Sequence, residues 1–168
     1  MAETASKTQI LLARLAVALI VAFAVLGFAM YGFSAEVRQR LWQNLLERPS
    51  GPMTFRFFLQ PIMASIVAWR DGARDARTGR SPYLWTMLTN PAKAGDRLQE
   101  GLIATARILL LGLVMDVIYQ AIVFKTFHPG EAAIISILLA FVPYLLLRGP
   151  ISRVVAWWRA RRSANDVQ

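Results

Sequence analysis

The sequence predicts an all-α integral membrane protein, a single membrane domain over 1–168 with three transmembrane helices and one or two amphipathic interfacial ones. Three observations predict it. Apolar residues make up 56% of the chain and charged residues 17%, where a soluble domain has about a quarter. The apolar residues come in long blocks rather than with period 3.6 or 2. And from Leu102 to Leu147 the chain reads as a hydrophobic hairpin: LIATARILLLGLVMDVIYQAIVF, a turn KTFHPG, then EAAIISILLAFVPYLLL. Each arm is near the ~20 residues that cross a ~30 Å hydrocarbon core.

The first span is expected at 10–33. Leu15 to Phe33 gives nineteen residues without a charge. Tyr31 and Phe33 fall where an interfacial aromatic belt belongs, and Ala18 and Ala22 form a small-xxx-small pair suited to helix contact. A cleaved signal peptide is the rival reading, with Gly32-Phe33-Ser34 as its processing site. The apolar run exceeds the usual 7–15 residues of such a leader, so an uncleaved anchor is expected.

The stretch 34–100 is expected to be cytoplasmic and interfacial. Ser34 can cap a helix with Glu36 in its first turn. That helix sets Val37, Leu41 and Leu45 on one stripe, and Pro49, Gly51 and Pro52 end it. MTFRFFLQPIMASIVAW, 53–69, is a fourth candidate span. Arg56, Gln60 and the helix-breaking Pro61 argue for an interfacial, re-entrant or protein-buried piece instead. RDGARDARTGR, 70–80, is the polar centre, with Asp71 and Arg74 at pairing distance on a helix. YLWTMLT follows with Trp85 as an interface anchor, and Asn90-Pro91 opens the helix that enters the membrane near Leu102.

His128-Pro129-Gly130 turns the hairpin, and Glu131 starts the second arm, 131–148. Pro143 should kink that arm and Gly149-Pro150 should stop it. The tail, 149–168, is a basic cytoplasmic amphipathic segment. Ile151, Val154 and Trp158 lie to one side, and Arg153, Arg159, Arg161 and Arg162 largely to the other.

A net charge of +9 raises nucleic acid as a partner, but basic residues beside apolar spans are how membrane proteins set orientation. No nucleic-acid partner is expected. Leaving out Arg14 and Arg107, which lie inside spans, three spans put fifteen Lys and Arg on one side and two on the other; with 53–69 as a fourth, the split is twelve to five. Both layouts make 71–100 and the C-terminus cytoplasmic. The three-span layout is preferred, and it puts the N-terminus outside. Sixteen of the nineteen basic residues are Arg, which together with abundant Ala suggests a bacterial inner membrane.

Among candidate sites, Asp116 is the sharpest, because a carboxylate at mid-span costs ~2.5–3.5 kcal/mol unless it faces protein or water. Tyr119 and Gln120, at i+3 and i+4, share its side of the helix. Arg107 is half a turn round from Asp116 and reads as a headgroup anchor, like Arg153, Arg159, Arg161 and Arg162. Arg14 is the expected partner of Asp116 across helices. No catalytic residue, cofactor or metal site is expected: there is no Cys, and His128 is the only His.

Asp71-Gly72 and Ala76-Arg77 resemble part of the Asp-Gly-x-x-Ala-Arg core of CDP-alcohol phosphatidyltransferases, membrane enzymes whose aspartates bind metal ions. The Ala-Arg pair stands one residue too far along, and no Gly-x-x-x-Asp-x-x-x-Asp follows. Membership of that family is therefore not expected.

The expected function is a non-enzymatic accessory, scaffold or assembly component with a basic face on anionic phospholipids. Its partners would be other membrane proteins or further copies of itself. An oligomeric transporter or channel using Asp116 is the alternative, and a lipid-modifying enzyme acting from 70–80 a third.

Overall fold

The computed structural model describes residues 5–32, 34–47 and 54–165, so Phe33, Pro49, Gly51 and Pro52 lie outside the described residues. Every regular element among those described is a helix. They are α1 (Lys7–Tyr31), α2 (Ala35–Glu47), α3 (Arg56–Arg77), α4 (Tyr83–Thr89), α5 (Pro91–Tyr119), α6 (Pro129–Ser136) and α7 (Val142–Asn165). A π turn at Gln120–Phe124 extends α5, and another at Ile137–Phe141 joins α6 to α7. Three of the continuous helices, Lys7–Tyr31, Pro91–Phe124 and Pro129–Arg162, are long and apolar enough to cross a membrane.

Capping follows sequence in part. Ser6 and Gln9 form a reciprocal box at the start of α1, and the Val37 N–H donates to Ser34 Oγ at 3.2 Å at the start of α2. Asn90 precedes Pro91 at the start of α5, as the sequence predicts, but its side chain makes no capping bond.

Proline behaves differently from expectation. Gly149-Pro150 does not stop the last helix, which continues to Asn165. Proline removes one backbone bond, and nearby Ser152 Oγ donates to the Gly149 carbonyl at 2.8 Å. Near Pro143 the irregularity takes the form of the π turn, in which the Val142 N–H donates to the Ile137 carbonyl. Pro61 lies in the second turn of α3, where its missing N–H leaves the Phe57 carbonyl without its intrahelical donor, and the helix runs through it.

Buried positions form stripes of three- or four-residue spacing. On α3 they are Arg56, Gln60, Ala64, Ala68, Gly72 and Asp75; on the last helix, Ala132, Ser136, Ala140, Tyr144, Arg148 and Ser152. The middles of these stripes are small, which lets backbones approach in the manner of membrane bundles. A Cβ added at Gly72 would lie 2.8 Å from the Arg148 carbonyl oxygen, and one at Gly27 would lie 2.5 Å from the Gly130 nitrogen. The buried face of α1 is Ala13, Ala16 and Gly27; Ala18 and Ala22 are exposed, so the small-residue pair read from sequence is not the contact.

Contacts at the helix ends fix their directions. Ser6 and Gln9 of α1 share a cavity wall with Arg70, Arg74 and Glu100, whereas the Tyr31 hydroxyl donates to the Phe127 carbonyl at 2.7 Å. Arg56 meets Asp116, and Asp75 meets Arg148. Thus α1 and α5 run one way, and α3 and α6–α7 run back. The bundle has an Arg148 end, holding the starts of α1 and α5, and a His128 end, holding the hairpin turn.

Two expectations change. The 53–69 segment, preferred as interfacial, belongs to a helix that runs the length of the bundle: Arg56 to Asp75 covers about 28 Å at 1.5 Å per residue. Its polar residues do not mark a surface; Arg56 and Gln60 are 1% exposed. The start of α1, expected on the side opposite the tail, lies at the same end as Arg148.

Candidate functional site

Two buried polar clusters sit at different heights in the bundle. Nearer the His128 end, Arg56 Nη2 donates to Asp116 Oδ1 at 2.6 Å, with both side chains almost fully buried. Gln120 Nε2 donates to Asp116 Oδ2 at 2.6 Å. The same amide spans the hairpin, donating to the His128 carbonyl at 3.1 Å and accepting from the His128 N–H at 2.6 Å. Tyr119 lies under the Arg56 guanidinium, whose carbon is 4.9 Å from the ring centroid. The cluster therefore ties the start of α3, the end of α5 and the hairpin turn into one unit. Gln60 Oε1, buried beside Gly112, accepts no hydrogen bond from the described residues.

Outside this cluster, Arg40 of α2 reaches Glu131 of α6 at 3.5 Å and lies over the Tyr31 ring, which stacks on His128.

At the Arg148 end, one guanidinium organises three helices. Arg148 Nε and Nη2 donate to the two Asp75 oxygens at 2.8 and 3.1 Å, the bidentate geometry that a planar fork favours. Its Nη2 also reaches Glu100 at 2.6 Å, and Nη1 donates to the Tyr144 hydroxyl at 2.6 Å. Tyr144 donates in turn to Asp71 Oδ2 at 2.9 Å. Arg97 and Arg80 close the group, at 3.6 and 3.5 Å from Asp75 and at 3.2 and 3.3 Å from Glu100. Two carboxylates, Asp75 and Glu100, thus meet three guanidinium groups, and a third, Asp71, is tied in through the Tyr144 hydroxyl. Tyr83 lies beneath Arg148 and donates to the Arg97 carbonyl; burial pushes its phenol up to about 12, against the opposing pull of the Arg148 charge.

The sequence-predicted residues divide. Asp116, Tyr119 and Gln120 come together as expected. Arg14 does not join them: the partner of Asp116 is Arg56, while Arg14 is exposed on α1 and borders a shallow groove with Leu98 and Leu102. Arg107, Arg153, Arg159, Arg161 and Arg162 are all exposed. Asp71 and Asp75 turn inward to partners on other helices rather than pairing along α3. Sequence reasoning missed Arg56, Asp75, Arg97 and Arg148 as a buried set. The signal was present in the four-residue spacing of Arg56, Gln60, Ala64, Ala68 and Gly72.

No family model matches the chain, and neither a curated protein nor a solved structure shows significant similarity to it.

Proposed function

We propose that this chain is a small, non-enzymatic, multi-pass protein of a bacterial inner membrane, an accessory or assembly component whose bundle presents a basic face to anionic headgroups. Four segments cross in this reading: α1, α3, α5 and α6–α7. One observation carries it. Each of the six buried charged residues among those described, Arg56, Asp75, Arg97, Asp116, Glu131 and Arg148, is held by an opposite charge on another helix. Charges committed in this way hold helices in register, because removing either partner strands the other in a dry interior.

Orientation follows from charge. With α3 as a crossing, twelve Lys and Arg lie toward the Arg148 end and five toward the other, so the positive-inside rule makes the Arg148 end cytoplasmic. Both the α1 start and the α7 tail then face the cytoplasm, with exposed Arg153, Arg159, Arg161 and Arg162 at the inner surface. Its partners are anionic phospholipids and other membrane proteins, or further copies of this chain.

A transporter or channel working through Asp116 would need that carboxylate open to the transported ion, and it is fully buried against Arg56 and Gln120. An enzyme acting from 70–80 would need Asp71 or Asp75 open to substrate, and both are taken up internally. Proteoliposomes carrying the purified protein test the choice. The expected result is proton and cation flux no greater than in protein-free liposomes, with another membrane protein retained in mild-detergent purification. Flux abolished by Asp116→Asn would replace this reading with the transporter.

A further inference from the structure

α1 rests on α5 and α6, and α3 rests on α7 and α5, so part of α5 is left uncovered between them. A groove of about 680 Å³ opens there at the Arg148 end. Its mouth carries Arg70 and Arg74 of α3 and Arg107 of α5. Its floor is apolar, made of Leu12, Met63, Val67 and Ile103.

Two carboxylates border the groove, and both are engaged elsewhere. Asp71 accepts from Tyr144 at 2.9 Å, and Glu100 accepts from Arg148 at 2.6 Å while facing Arg97 and Arg80. Arg70 and Arg107, by contrast, meet no carboxylate among the described residues, and both are exposed. Arg70, Arg74 and Arg107 thus outnumber Asp71, the one lining carboxylate that meets a neutral hydroxyl rather than an arginine, and the groove is net positive above an apolar trough. The first turn of α1 adds the positive end of a helix dipole at the same mouth, with no acidic residue in that turn.

We propose that this groove is a binding site for one anionic phospholipid, with its phosphodiester held by Arg70 and Arg107 and an acyl chain lying on Leu12, Met63, Val67 and Ile103. A free anion would leave the trough uncovered, and a zwitterionic lipid would bring its own cation to two arginines. Only an amphiphile with net negative charge satisfies both halves. Arg107 lies about 10 Å along α5 from Glu100, so its side chain reaches the phosphate by lying back along the helix toward the headgroup level. The proposal rests on the reading of the bundle as membrane-spanning with the Arg148 end at an inner leaflet. It adds a single defined site to the diffuse attraction of the tail.

Native mass spectrometry of the full chain, delipidated in neutral detergent and titrated with dioleoyl phosphatidylglycerol or dioleoyl phosphatidylcholine, tests it. The expected result is one phosphatidylglycerol retained per chain, with phosphatidylcholine retained at least tenfold more weakly. The Arg70→Gln/Arg107→Gln double variant and Ala104→Phe, which fills the groove from its α5 wall, should each weaken retention about tenfold or more at an unchanged melting temperature. The tail variant Arg153→Gln/Arg159→Gln/Arg161→Gln should retain the lipid. Loss in the tail variant with retention in both groove variants would overturn the groove and leave the basic-surface reading standing. Equal retention of the two lipids by the wild-type chain would overturn both. Displacement of the lipid by glycerol 3-phosphate would assign the arginines to a free anion and overturn the lipid site.

Discussion

Arg56 and Asp116 lie sixty residues apart in the chain and meet at 2.6 Å in the bundle interior. Breaking a buried pair from one side typically costs about 3–5 kcal/mol, whereas removing both charges costs much less. Asp116→Asn and Arg56→Gln should therefore each lower the thermal midpoint sharply, and the double variant should recover a large part of the loss. Double-mutant-cycle melting measures the coupling; additive losses would show that the two residues act independently.

The Arg148 group predicts a different pattern. Arg148→Gln removes the fork that joins Asp75, Glu100 and Tyr144 and leaves Asp75 with only the longer contacts to Arg97 and Arg80. Asp75→Asn leaves Arg148 its bonds to Glu100 and Tyr144. The arginine variant should therefore be the less stable of the two in detergent melting, with a loss on the order of 3–5 kcal/mol.

Gly27 and Gly130 mark a close backbone approach between α1 and α6. An alanine at Gly27 sets its Cβ 2.5 Å from the Gly130 nitrogen, where no side chain can move aside. Gly27→Ala should cost about 1–3 kcal/mol by overpacking and separate α1 from the hairpin. Gly95→Ala, which meets nothing within 4 Å, is the matched control and should not destabilise.

Tyr83 supplies a pH dependence. In the fold its phenol is raised to about 12 from an ordinary 10.0, so the folded state holds the proton more tightly than the unfolded state. Its contribution is complete below about pH 10 and is lost as pH rises through about 12. Denaturation profiles between those values should be steeper for the wild-type chain than for Tyr83→Phe.

Much of this was legible from sequence, and the rest was hidden for definable reasons. The hairpin could be read because two apolar arms around His128-Pro129-Gly130 admit one arrangement. The packing of α3 along the bundle was hidden because Arg56, Gln60 and Pro61, one residue at a time, look hostile to an apolar interior. Their four-residue spacing with Ala64, Ala68 and Gly72 puts the polar groups on the protected face, where Asp116 compensates the charge. Choosing Arg14 for Asp116 followed from the assumed direction of α1. Once Tyr31 is seen against His128, the start of α1 and Asp116 belong to opposite ends of the bundle. Pairing of Asp75 with Arg148 is 73 residues long-range, and no local pattern announces it.

The central claim is that four helices cross and bring the start of α1 to the same side as the tail. The natural chain contains no cysteine, so single substitutions report their side without background labelling. Ala5→Cys, Ser34→Cys, Thr78→Cys and Lys125→Cys, treated with a membrane-impermeant maleimide in intact cells and in inverted vesicles, make the measurement. The account predicts labelling of Ser34→Cys and Lys125→Cys from outside, and of Ala5→Cys and Thr78→Cys only in inverted vesicles. Labelling of Ala5→Cys together with Lys125→Cys from outside, with Ser34→Cys protected, would contradict it.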